Sequence, residues 1–147
     1  MENNTENNMA ENLFAVFRQI HSILPQSDQD LHKNLTRSHY EVLFVIYDNK
    51  KIPMSEIAKL LSLSKPYMTA LIGRLIEETL VERVPDQKDR RIIDIILTTK
   101  GEKLLLQHKK MIEQHINQKF AHFESNDLEY LSVILKNLKE MFMQIDL

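Results

Sequence analysis

The stretch Met54–Gly101, MSEIAKLLSLSKPYMTALIGRLIEETLVERVPDQKDRRIIDIILTTKG, decides the fold. Ser55 is expected to cap a short helix whose Ile57, Ala58, Leu60 and Leu61 face inward. SLS then makes a turn, and Ser64 caps a second helix with Pro66 in its first turn, where a missing N–H costs nothing. Met68, Leu71, Ile72 and Leu75 form the buried stripe of that helix. Two helices joined by so short a turn make a helix-turn-helix. Beyond it, LVERV and RIIDIILT read as two β-rich runs around a Pro/Asp/Lys/Arg turn, which predicts a hairpin. The apolar strand gives the hairpin a stem that can pack, so the charged tip is held away from the domain.

Working outward, the chain has 147 residues, 43% of them apolar, with two Gly, four Pro and no Cys. That length suits one compact unit, and so few breakers favour long helices over a turn-rich sheet protein. Without cysteine there are no disulfides, thiolate ligands or thiol switch. No apolar run is long enough for a bilayer and the first residues lack a signal pattern, so a cytoplasmic protein without membrane contact is expected. Residues 1–9 read as a frayed tail. Leu13, Phe17, Ile20 and Leu24 mark a first helix over roughly 10–24, ended by Pro25. A polar connection leads to a second helix with Thr36 or Ser38 as its cap, the latter in a capping box with Glu41. Past the hairpin, Thr98 restarts a helix carrying Leu105, Ile112, Ile116, Phe120 and Phe123. Ser125 caps the last one, whose Leu128, Leu131, Leu135, Leu138, Phe142 and Ile145 make an a/d seam suited to self-association. The expected organisation is therefore a tail over 1–9, a helical dimerisation region over 10–34 and 100–147, and a winged helix-turn-helix over 35–99. The fold class is mostly α with a small β-hairpin wing.

The formal net charge of −2 gives no global sign of a nucleic-acid partner, so any such site must be local. On the helix after Ser64, the positions left for solvent are Lys65, Pro66, Tyr67, Thr69, Ala70, Gly73 and Arg74. Ala70 and the Thr69 methyl suit a thymine methyl in a major groove, and Lys65 and Arg74 reach phosphates or guanine edges. Ser62 and Ser64 of the turn lie where the helix N-terminus favours phosphate. At the hairpin tip Lys88, Arg90 and Arg91 suit a narrow minor groove. Asp86 and Asp89 are expected to fix the turn by pairing with one arginine, leaving the other free.

Taken together, the Met54–Gly101 stretch, with its D-R-R and L-T-x-x-G elements at the wing and exit, resembles the MarR family of bacterial regulators, the multiple-antibiotic-resistance type. The helix layout on either side is similar too. The resemblance implies a homodimer joined through the N- and C-terminal helices, here Leu13 and Phe17 with the seam residues, and binding to pseudo-palindromic double-stranded DNA. It further implies repression relieved by a small, aromatic effector lodged near Phe17, His21, His39 and Tyr40, and it assigns the minor-groove finger to Arg90 or Arg91. Two departures stand out: Gly73 lies inside the recognition helix, and Thr79 takes the place where the family usually has Gly.

His108, His115 and His122 recur every seven residues. Imidazoles ~10 Å apart along one helix cannot share an ion at ~2.1 Å, so no metal or other cofactor is expected. The carboxylates are scattered, with no phosphate loop, nucleophile elbow or acid–base cluster, which argues against an enzyme. The competing readings are a winged-helix protein-interaction module that does not bind DNA, and a metal-responsive regulator. The basic tip beside a donor-rich helix favours DNA.

Overall fold

The computed structural model describes residues 2–25, 32–87 and 89–145, with side chains from Asn8 onward. The elements run α1 (Glu2–Ile23), α2 (Arg37–Asn49), β1 (Lys51–Pro53), α3 (Met54–Leu60), α4 (Lys65–Glu77), β2 (Val81–Pro85), β3 (Ile93–Leu97), α5 (Thr99–Lys119) and α6 (Ser125–Phe142). They fall into two compact units, residues 27–110 and residues 1–26 with 111–147.

The first is the winged unit. Its sheet is antiparallel in the order β1-β3-β2, with Ile52 opposite Ile95 and Arg83 opposite Ile95 from the other side. The expected hairpin is present, but β1 adds a third strand. KIP is too short for a period-two pattern to show, and its proline is tolerated because the strand is an edge. The core gathers Tyr40, Val42, Leu43 and Ile46 of α2, Ile57 of α3, the Met68, Leu71, Ile72 and Leu75 stripe of α4, and Ile95 and Leu105. Leu60 departs from the reading and stays exposed, while Ser55 lies inside α3, which is capped by Pro53. The first half of α5 belongs here, not with the dimerisation region, because Leu105 and His108 are buried in this unit. His32 and Asn34 also belong here, through contacts to Glu78.

Helix α2 starts at Thr36, the first of the two expected caps, and not at the Ser38–Glu41 box. Thr36 is its N-cap, and the side chain that closes the box is His39, whose Nδ1 accepts from the Thr36 N–H at 3.0 Å. Burial, and then the cation of Arg74, hold the His39 imidazole below its ordinary pKa, in keeping with a nitrogen that must stay unprotonated to accept.

The bend into the wing is tight. Thr79 has φ 58°, the left-handed region that costs a β-branched residue, so the chain keeps the bend that glycine makes elsewhere. Three bonds hold it: Thr79 N to Ile76 O, Thr98 Oγ1 to Thr79 O at 2.7 Å, and Lys100 Nζ to Glu78 O at 2.7 Å. The Thr98 hydroxyl also accepts from Gly101 N at 3.0 Å, starting α5. A Cβ on Gly101 would lie 1.9 Å from Leu80 O, which explains the glycine of L-T-x-x-G.

The second unit is helical. Helix α1 begins at Glu2 rather than near Ala10, so the expected tail continues the helix. No Gly or Pro interrupts it there, and each added residue gains a bond once a helix is nucleated. Helix α6 is capped at Glu124, one residue before the expected Ser125, and its seam ends at Phe142, with Ile145 in the turn beyond. Among the described residues of this unit none is buried.

Candidate nucleic-acid interface

Helix α4 presents its N-terminal half. Ser64 caps it, accepting from Tyr67 N at 3.4 Å, and the preceding turn is closed by Ser62 at φ 52°. Lys65, Pro66, Tyr67, Thr69 and Ala70 are exposed as expected, and the Lys65 ammonium has no partner among the described residues. The Thr69 hydroxyl donates to Lys65 O at 2.9 Å, so its methyl is left for an apolar contact. A Cβ on Gly73 would meet nothing within 4 Å, so the glycine answers to no crowding inside the chain.

Two residues expected at the interface are otherwise engaged. Tyr67 donates its hydroxyl to Ser38 Oγ at 3.2 Å, tying α4 to α2. Arg74 pairs with Glu77 at 3.0 Å and Glu78 at 2.9 Å, and Glu78 also holds Asn34 and His32. The acids stand three and four residues along the same helix, a spacing that signals such pairing in the sequence itself.

At the wing the two arginines separate. Asp89 takes Arg91 in a fork, Oδ1 to Nε at 3.0 Å and Oδ2 to Nη2 at 2.9 Å, and accepts the Arg91 N–H as well. These bonds lower the Asp89 pKa and raise that of Arg91. Arg90 is exposed and has no partner among the described residues. Asp89 therefore fixes one arginine as expected, whereas Asp86 pairs elsewhere, with Lys51 at 2.9 Å. Lys88 lies outside the described residues.

A groove of about 740 Å³ opens between the starts of α3 and α4 and the wing, with Ser55, Lys65, Arg83 and Arg91 on its walls and Ile93 and Ile95 below. Ser55 and Arg83 were not among the expected contacts. The hint for Arg83 is a cation inside a β-run, facing solvent while Val81 is buried.

The other expected sites fare differently. Tyr40 is 1% exposed, and its ring stacks on His108 at 3.7 Å, while His39 is taken up by the α2 cap. Neither offers itself to an effector. Phe17 and His21 are exposed on α1. His115 is half-buried, and His122 lies against Phe123 with ring centroids 4.7 Å apart. Among the described residues, no three His, Asp or Glu side chains gather as metal ligands, and no helix is long and apolar enough to cross a membrane. Leu13, Phe17, Leu128, Leu135 and Phe142 are exposed, and Leu131 and Leu138 half-buried.

Comparison with known proteins agrees with this geometry. A MarR family model matches residues 33–92. The HTH-type transcriptional regulator YpoP of Bacillus subtilis is 30% identical over 135 residues, 91% of this chain and 88% of that protein. The multiple antibiotic resistance protein MarR of Escherichia coli is 26% identical over 127 residues, covering 82% and 88%. The crystal structure of RV1404 from Mycobacterium tuberculosis superposes with a TM-score of 0.81 over 95% of both chains, and at 19% identity it speaks for the fold alone. With the helix-turn-helix, the wing and these relatives in agreement, the chain belongs to the MarR family and is a DNA-binding transcriptional regulator.

Proposed function

We propose that the chain acts in the cytoplasm as a homodimeric repressor of a pseudo-palindromic operator, relieved by a small-molecule effector. Each α4 enters a major groove with Lys65, Pro66, Thr69 and Ala70, with Ser62 and Ser64 beside phosphate, and each wing places Arg90 in the adjoining minor groove. The observation that carries this reading is the division at the wing tip, where Asp89 holds Arg91 in place and Arg90 stands unpaired among the described residues. Tyr67 and Arg74 serve α4 by bracing it, through Ser38 and through Glu77 and Glu78. The exposed apolar stripes of α1 and α6 support the dimer, since one chain leaves Phe17, Leu135 and Phe142 open to water. The effector reading rests on family likeness and is not placed on His39 or Tyr40.

The test is selection from random duplex DNA, followed by a salt titration on the selected site. Expected are two half-sites one helical turn apart, ~34 Å, and an affinity that falls steeply with salt, by ~0.9 in log–log slope per phosphate neutralised. A flat salt response would instead mark a protein-interaction module. Arg90→Ala should weaken binding and Thr69 or Ala70 changes should alter sequence preference.

A further inference from the structure

Two acids meet one lysine at the root of the wing. Lys51 Nζ of β1 lies 2.9 Å from Asp86 Oδ2 and 3.2 Å from Asp94 Oδ2. Asp94 is buried in the middle strand, opposite Pro53 of β1 and Val84 of β2, and Asp86 follows β2 directly. The cluster sums to one negative charge, which repels phosphate, so its presence beside a DNA-binding tip needs another reason.

Its geometry supplies one. Asp86 Oδ1 accepts from Asp89 N at 2.9 Å, and Asp86 N donates to Ile92 O at 2.9 Å, so this residue holds both sides of the turn. Asp89 in turn grips Arg91. A continuous run of contacts thus leads from Lys51 through Asp86 and Asp89 to Arg91, and Arg90 sits inside it. The backbone alone holds β1 weakly, because the strand has three residues and one of them, Pro53, has no N–H to donate. A side chain reaching from β1 to the turn fastens what the short ladder does not.

We infer that Lys51 is a positioning residue for the wing: it binds the root of the turn to the edge and middle strands and so sets the direction in which Arg90 is presented, without touching DNA. This rests on the wing tip as a DNA-contacting element. The hydrogen bonds to Asp86, and then to Asp94, raise the Lys51 pKa.

The experiment uses the full chain on its selected duplex over a salt series, with thermal unfolding as a check of fold. Lys51→Met should weaken binding about tenfold, with no greater loss of salt slope than Arg90→Ala causes, and Lys51→Arg, which also spans two carboxylates, should restore it. Asp86→Asn should weaken binding too. A purely electrostatic cause demands the opposite sign there, since that change removes an acid near phosphate. In an Arg90→Ala background, Lys51→Met should add little, because its effect passes through the wing tip. If Arg90→Ala has no effect, the wing reading itself fails. If Arg90→Ala weakens binding but Lys51→Met leaves affinity intact, lowers the salt slope by about a further 0.9 in the Arg90→Ala background, or adds in full to Arg90→Ala, the positioning role is overturned. Asp86→Asn keeps an acceptor for Asp89 N, and should Lys51→Met fail to fold, the sign of its effect on binding decides between the two causes.

Discussion

The winged unit and the helical unit are built of similar residues and end in opposite states. Among the described residues every buried apolar side chain, from Leu35 to Leu105, lies in the winged unit, where helices and a sheet close one core. In the helical unit Phe14, Phe17, Val133, Leu135 and Phe142 are all exposed, though α6 carries as regular an apolar pattern as α4. The contrast separates two uses of amphipathicity. One closes a core within the chain; the other leaves an exposed apolar surface, which the proposed dimer would cover. Stability should therefore be governed by the first unit and assembly by the second.

The largest expected effect breaks assembly. Leu135→Glu places two charges in one apolar layer of the proposed symmetric interface, so the protein should sediment as a monomer and bind its operator at least ~100-fold more weakly, while the winged unit keeps its unfolding transition. A variant that stays dimeric would show that the seam is covered in another way. Next comes Gly101→Ala, in the winged unit, where the new methyl meets the Leu80 carbonyl. It should cost about 3 kcal/mol in urea unfolding and leave self-association untouched if the chain still folds.

Smaller is the effect of His39. Its folded pKa lies below the unfolded value of 6.5, so its stabilising part is complete above 6.5 and is lost as pH falls through the folded value. The winged unit should thus weaken on acidification. His39→Gln, which keeps an acceptor at the third helical position, should reduce that pH dependence between pH 7.5 and 5. An unchanged pH profile would remove His39 from the account. Smallest and opposite in sign, Thr79→Gly should stabilise by about 1 kcal/mol, because it relieves the left-handed conformation, and the gain should appear as a higher midpoint of urea unfolding.

The sequence spelled out what local rules govern. Ser64, Pro66 and the Met68–Leu75 stripe set α4 where it was expected, and the isoleucines set the wing strands, because capping and periodicity act over a few residues. What stayed hidden depends on contacts made at long range. Nothing in KIP announces a strand, since β1 exists only by pairing with β3. Nothing in Asp86 names Lys51, 35 residues earlier, as its partner. The choice between Arg90 and Arg91 likewise turned on the geometry of one carboxylate, Asp89. Arg74 is the instructive middle case: Glu77 and Glu78 stand at helix spacing in the sequence, and the fold turns the guanidinium to them rather than outward.

The double use of the Thr98 hydroxyl has a consequence for how the winged unit opens. One oxygen donates to Thr79 O and accepts from Gly101 N, so the bend before β2 and the first turn of α5 have one fastening in common. Fraying of either therefore loosens the other. In native-state hydrogen exchange the amides of Thr79, Leu80, Thr98 and Gly101 should form one cooperative group with a common protection factor, and replacing Thr98 with Val should lower all of them together.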